Sequence, residues 1–332
     1  AGIAVQPNGM RILRALGMGA VVEHAGAVIR HWDFCDQQGE VLSETDLEAL
    51  WGDVGPFIGI ERVKLHQVLL AAAAAVPFRL GLSVTSLTHN DDCVSVGFGD
   101  GSTGTYDLVV GADGIASTVR KLTLSAAPPV SAGQVAWRSL APIRPRGLTK
   151  LQFLLGDGCF FGLCPVGNGH TYGFGNVTEP RFHDAVEGRL ERLRERFAAF
   201  GGRVQEYLAA LETDEQIHCS AIEWVEQDEW YTGRVVLIGD AAHASSPMMG
   251  QGGCLAMEDA YVLAKILRSA ASVESALETY VSRRKARVNW VQQASRAVAE
   301  SFRLPPAMRN AALRERGDQL MHQRFAPLVP AP

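Results

Sequence analysis

The chain has 332 residues, with 31 Lys+Arg against 36 Asp+Glu for a net charge of -5. Hydrophobic residues make up 47% and charged residues 20%, enough to bury the core of one large or two smaller domains and too apolar for a disordered chain. Mild acidity without a Lys/Arg block disfavours nucleic acid or an anionic membrane and points to a small-molecule partner.

The start, Ala1 to Pro7, has neither an initiator Met nor a basic region, so it reads neither as a signal peptide nor as a natural beginning. Beyond it Met10, Ile12, Leu13 and Leu16 recur at helical spacing, and Gly17 closes that short helix. Val28 to Leu42 reads as strands around a Gln38-Gly39 turn, and Arg62 to Ala75 as a Leu- and Ala-rich helix ended by Pro77. The most apolar stretch, Leu69 to Phe78, covers only about half of what a bilayer crossing needs, so no membrane span is expected. Val84 to Thr88 and Cys93 to Phe98, with the Gly99-Asp100-Gly101 turn, predict an antiparallel meander.

Asp107 to Gly111 is a short apolar run without alternation, as in a strand buried on both faces of a parallel sheet, and Val235 to Gly239 repeats it. Between them Gln134 to Leu140, Leu151 to Leu155, Cys159 to Pro165 and Thr171 to Val177 read as antiparallel sheet. Asp184 to Gly201 and Val204 to Leu211 read as helices, and Gln216 to Trp224 as one more strand. Gly252 to Ser269 predicts an amphipathic helix with Ala256, Ala260, Leu263, Ala264 and Leu267 on one face and Glu258, Lys265 and Arg268 elsewhere. A long helix follows from about Val273 to Val298, and the prolines after 304 mark a partly ordered tail. The cysteines at 35, 93, 159, 164, 219 and 254 form no CxxC pair and no zinc-spaced cluster, which predicts reduced thiols, a cytoplasmic setting and no metal.

Each of the two apolar runs ends in glycine and an acid, Gly111-Ala112-Asp113-Gly114 and Gly239-Asp240-Ala241-Ala242-His243. Ligands of open α/β sheets bind at the carboxyl ends of strands, where a carboxylate can accept from a ribose or ribityl hydroxyl; the alternative is that each acid caps the next helix. After Asp240, Pro247-Met-Met-Gly250-Gln251-Gly252-Gly253-Cys254 forms a Gly-rich loop leading into a helix. Its unpaired N–H groups would stabilise a phosphate or the negative edge of a reduced flavin.

These motifs resemble the class A flavoprotein monooxygenases, the group of the para-hydroxybenzoate, salicylate and urate hydroxylases. Gly111 to Arg120 is similar to the family's DG motif, and Gly239 to His243 with Pro247 and Gly250 to Gly253 to its GD motif; Ala1 to Gly17 and Arg62 to Leu65 agree more weakly. The resemblance implies an α/β fold. A Rossmann-like FAD-binding domain (1–27, 60–128, 230–300) would carry an inserted α+β substrate domain on an antiparallel sheet (28–59, 129–229), with C-terminal helices and a tail at 301–332. It implies that Arg62 contacts the flavin nucleotide, Asp113 lies near the pyrophosphate and Asp240 binds the ribityl chain. Pro247, Gly250, Gln251, Gly252 and Gly253 would border the isoalloxazine, and Arg120 would brace the DG loop. The family's opening strand, GxGxxG turn and helix do not occur in the chain, and the reading is that such a unit precedes Ala1 rather than that tight FAD binding has been lost.

The resemblance further implies that NADH or NADPH reduces the FAD, that O2 adds at its C4a carbon, and that the hydroperoxide hydroxylates an aromatic small molecule. The protein orients that ring and excludes water. Tyr172 and Phe174 share one strand face, and with Trp137, Arg138, Phe160 and Phe161 they are the substrate-contact candidates, against the alternative of ordinary sheet-core aromatics. No Arg occurs from Cys159 to Pro165, which favours a neutral or weakly acidic ring. No GxSxG elbow accompanies His243, so His243 reads as packed under the loop, and Cys254 is assigned no chemistry. The motifs describe a cofactor site and leave open an epoxidase, a Baeyer–Villiger-type oxygenase or a non-catalytic binding protein. A monomer or homodimer is expected.

Overall fold

The computed structural model describes residues 1–124, 127–180 and 182–332. Contacts divide it into two compact units, Ala1–Ala73 with Gly133–Ile222 and Arg296–Ala331, and Ala74–Ala132 with Glu223–Ser295 and Pro332.

The first unit is built on a seven-stranded sheet. Its strands run in the order Ile217–Trp224, Val130–Ala141, Thr171–Val177, Cys159–Pro165, Leu151–Leu155, His31–Asp36, Val41–Asp46. Leu151–Leu155 and His31–Asp36 run parallel, while the neighbours on either side of them pair antiparallel. Side chains alternate across the sheet, so its two faces have different contents. One face packs Val135, Trp137, Leu154, Phe161 and Leu163 against Leu193, Phe197, Val204 and Tyr207 of the Arg189–Arg196 and Arg203–Ala209 helices and the turn after the first. Glycine makes that packing possible: a Cβ on Gly173 would sit 2.4 Å from the Tyr207 ring, and one on Gly175 2.6 Å from Phe197. The other face carries Trp32, Phe34, Phe153, Phe160, Tyr172 and Phe174. Trp32 stacks on Phe153 at 5.2 Å, and Phe153 meets Phe174 edge-on at 5.2 Å.

A smaller sheet, Gly2–Val5, Phe57–Glu61 and Ala27–Ile29, belongs to the same unit with the Pro7–Ala15, Gly19–Ala25 and Arg62–Ala72 helices. Residues 1–27 and 60–73 were expected with the nucleotide-binding part. They group instead with the large sheet, tied to it in part by the 3.1 Å contact of Glu61 with His170.

The expected C-terminal tail is corrected too. Pro306–Phe325 is a twenty-residue helix that buries Arg309, Leu313, Met321 and Phe325. Pro306 stands in its first turn, where the missing N–H has no intrahelical partner to lose, so proline starts this helix rather than breaking it. Arg309 Nη1 donates to the Gly156 carbonyl at 2.6 Å.

The second unit holds the meander Val84–His89, Val94–Phe98 and Thr103–Tyr106, and a three-stranded sheet in which Val235–Leu237 lies between Tyr231–Thr232 and Val109–Gly111. The last pair is parallel. Val235 to Leu237 are at most 1% exposed, as expected of a strand covered on both faces, whereas Val110 is 40% exposed because its strand is the edge of this sheet. The Thr118–Thr123, Asp240–His243 and Gly252–Leu267 helices follow these strands, and residues 273–295 of the long Val273–Phe302 helix belong to this unit. No helix among the described residues is long and apolar enough to cross a membrane.

Candidate functional site

The two strand-end acids have different fates. Asp113 is spent on local structure: it accepts from the Ser117 hydroxyl at 2.5 Å and from the Thr118 and Val119 amides at 2.7 and 3.1 Å, capping the Thr118–Thr123 helix. That is the capping alternative, realised here. Asp240 opens the short Asp240–His243 helix, is exposed, and has no partner among the described residues.

The turn that presents Asp240 is pinned from several sides. Gly239 adopts φ 57°, ψ -142°, a conformation costly for residues with a Cβ. Its amide donates to Asp259 Oδ2 at 2.9 Å, and its carbonyl accepts from the Ala242 and His243 amides at 2.9 Å. Buried Arg120 donates to the Ala241 carbonyl and to the Ile115 carbonyl, both at 2.6 Å, so one guanidinium ties the DG loop to the GD turn. The Gln292 amide donates to the carbonyls of Val225, His243 and Ala244 at 2.9 to 3.3 Å. His243 is 3% exposed, lies with its ring 4.9 Å from that of Trp230, and faces Asp259 Oδ2 at 2.5 Å, packed as expected.

Pro247–Met249 forms one turn, and Gly250 with φ 63° redirects the chain into Gln251, which is 1% exposed. The Gly252–Leu267 helix then begins with no side-chain cap from Gln251, and its first two residues are glycines. A Cβ on Gly252 would have one neighbour within 4 Å, Asp240 Oδ1 at 3.8 Å. Glycine there leaves open space beside an unpartnered carboxylate and a helix N-terminus. A flavin fits that donor set: hydroxyls for the carboxylate, and a negative ring edge for the N-terminus.

The helix itself corrects an expectation. Its buried residues are Cys254, Leu255, Glu258, Asp259, Val262 and Leu263, so Glu258, expected away from the packed face, lies in the core. The reason is charge pairing: Arg284 reaches Glu258 and Asp259 at 2.8 Å each, and Arg287 reaches Glu258 at 2.7 Å. Sequence reasoning missed this set. Its only trace is acidic Glu258-Asp259 matched by Arg284 and Arg287 in the next helix along the chain.

In the other unit Arg62 opens the Arg62–Ala72 helix, exposed, with its amide on the Ala1 carbonyl at 3.0 Å and no side-chain partner among the described residues. The six aromatic-face candidates separate by parity. Arg138, Phe160, Tyr172 and Phe174 share one face, with Arg138 opposite Phe174 in the ladder. Trp137 and Phe161 point to the helix-backed core, where Trp137 Nε1 donates to Asp184 at 2.9 Å, so the structure does not bring these two to the face of the others. Phe160 is 3% exposed under Phe302, which leaves Arg138, Tyr172 and Phe174 half-buried at the accessible part. Arg138 donates to Ser220 Oγ at 2.8 Å and has no carboxylate partner among the described residues. Burial, opposed by Arg138, pushes the Tyr172 phenol up to about 12. Burial first, then Arg138 and Arg189, push His218 below its ordinary value. Among the described residues no group of His, Cys, Asp and Glu could hold a metal ion.

Comparison with known proteins finds relatives along nearly the whole chain. A family model described as "FAD binding domain" matches residues 2–295. An aurachin C monooxygenase/isomerase from Stigmatella aurantiaca is 34% identical over 92% of this chain and 78% of its own length. An FAD-dependent urate hydroxylase from Klebsiella pneumoniae is 33% identical over 87% of this chain and 77% of its own. The crystal structure of Klebsiella pneumoniae HpxO complexed with FAD and uric acid superposes with a TM-score of 0.92 at 28% identity, covering 100% of this chain and 88% of that one.

Proposed function

The chain belongs to the FAD binding domain family and is a flavin-dependent monooxygenase, and from that premise we propose the parts its own residues play in hydroxylating an aromatic small molecule. The observation that carries the reading is the unpartnered Asp240 carboxylate beside the uncapped, glycine-lined start of the Gly252–Leu267 helix. Asp240 accepts from the ribityl hydroxyls. The amides of Gly252 and Gly253 donate to the negative edge of the ring, and Pro247 with Gly250 and Gln251 borders it. Arg62 binds the nucleotide as a counter-charge, and Asp113 shapes the loop near the pyrophosphate by holding its helix rather than by touching the phosphates. In this division, residues 1–27, 60–128 and 230–300 serve the nucleotide, and residues 28–59 and 129–229 serve the substrate.

When bound, FAD supplies two-electron transfer from NADH or NADPH and the activation of O2. The chain supplies orientation. Phe174, backed by Phe160, offers an apolar surface for the substrate ring, and Arg138 with Tyr172 offers N–H and O–H donors at its edge. Because Arg138 lacks a carboxylate partner, this reading shifts the substrate toward an electron-rich ring bearing an acidic oxygen or nitrogen. Six free cysteines support a cytoplasmic setting, and the protein works as a monomer or homodimer.

The test is turnover of FAD-loaded protein with a panel of aromatic acids, phenols and fused heterocycles under 18O2. Expected is substrate-stimulated NAD(P)H oxidation with one 18O incorporated into the ring. Oxidation that yields hydrogen peroxide with every ring, and never a labelled product, contradicts it.

A further inference from the structure

The Gly252–Leu267 helix buries two adjacent carboxylates, Glu258 and Asp259, each 0% exposed. Burying paired charges costs about as much as the pairing returns, so stability alone does not account for them. The contacts of Asp259 show another use. Its Oδ1 accepts from Arg284 Nε at 2.8 Å, which fixes the carboxylate plane. Its Oδ2 serves the GD turn at two points, accepting from the Gly239 amide at 2.9 Å and lying 2.5 Å from His243 Nε2. Gly239 and His243 are the residues at the two ends of the turn that carries Asp240. Burial alone would raise the Asp259 carboxyl, but His243, Arg284 and the Gly239 amide hold it below its ordinary value, so it stays an acceptor.

We propose that Asp259 is a positioning residue for the flavin. By clamping Gly239 and His243 together, it aims the Asp240 carboxylate at the ribityl chain, so flavin affinity depends on a residue that does not touch the cofactor. This rests on the flavin reading of the loop. Asp259 holds no proton for the chemistry and makes no substrate contact; its effect runs through Asp240.

A double-mutant cycle on FAD affinity, read from quenching of flavin fluorescence on titration, tests it with wild type, Asp240→Ala, Asp259→Asn and the double variant. Expected is a loss of roughly tenfold from Asp259→Asn in the wild-type background and less than about twofold in the Asp240→Ala background, the signature of residues acting as a unit. Losses that multiply, as when a core residue weakens the whole unit, overturn the proposal, as does an unchanged affinity in Asp259→Asn. If Asp259→Asn does not fold, His243→Ala removes one end of the clamp while keeping the Asp259–Arg284 pair, and the same cycle applies. An Asp240→Ala protein that binds FAD as tightly as wild type fails the flavin reading itself. Weakened Asp240→Ala with multiplying losses fails the positioning role alone.

Discussion

In this account two residues, Asp240 and Arg138, carry the polar contacts to cofactor and substrate, and each has a measurable consequence. A charge-assisted hydrogen bond is worth about 1.5–3 kcal/mol, so Asp240→Ala should weaken FAD binding by roughly ten- to a hundredfold while the protein stays folded, because the Asp240 side chain makes no described contact. Equal affinity by titration would remove Asp240 from the site. Arg138→Gln should raise KM for an acidic aromatic about tenfold or more with less effect on a neutral analogue, since the lost donor meets the substrate's charge. An equal effect on both substrates would make Arg138 a packing residue. Cys35 and Cys164 should be inert in the native protein: burial, followed by Asp33, pushes Cys35 up to about 12, and burial pushes Cys164 up to about 12. At neutral pH a thiol reagent should leave both unmodified until denaturant is added.

Among the elements, the legible ones are those whose signal is local. The Gly-and-acid endings of two apolar strands, and a Gly-rich loop entering a helix, announce a ligand-binding turn because backbone conformation and an unsatisfied helix N-terminus are written within a few residues. Which of the two acids stays free was not readable, since Asp113 differs from Asp240 only in having Ser117, Thr118 and Val119 placed to receive it. Alternation in the Thr171–Val177 and Cys159–Pro165 strands told which residues share a face, but not which face the helices cover; that is why Trp137 and Phe161 were grouped with Tyr172 and Phe174. The covered face is fixed by long-range packing of Phe197 and Tyr207 over Gly175 and Gly173, and Gly173→Ala should cost about 1–3 kcal/mol by urea melt through the clash with Tyr207. The approach to the Arg189–Arg196 helix is held by Asp184. Burial alone would raise this carboxyl, but Trp137, Arg192 and Arg189 hold it below its ordinary value. A depressed pKa gives stability that is present above the unfolded value and lost as pH falls through the folded one. Asp184→Asn should therefore be less stable than wild type by about 1.5–3 kcal/mol at pH 7, and the gap should close below about pH 4. A gap independent of pH would show that the carboxylate's charge does not matter.

For the molecule as a whole, composition alone set the class: an ordinary apolar fraction, mild acidity and many glycines fit a small-molecule enzyme, and the paired motifs narrowed it to a flavoprotein. The domain division was less legible, because residues 1–27 and 60–73 resemble part of a nucleotide-binding fold but group with the large sheet. The C-terminal helix escaped notice for a similar reason: its prolines look like breakers until Pro306 is seen in the first turn. A cofactor bound to the native state alone stabilises it by mass action, about 2.7 kcal/mol at a hundred times Kd. FAD should accordingly raise Tm in a concentration-dependent way, and this shift should shrink in Asp240→Ala. The most direct measurement is a crystal structure of the protein with FAD. The account predicts a ribityl hydroxyl about 2.5–3.0 Å from the Asp240 carboxylate, with the isoalloxazine edge against the amides of Gly252 and Gly253. A flavin bound elsewhere, with Asp240 facing solvent, would contradict it.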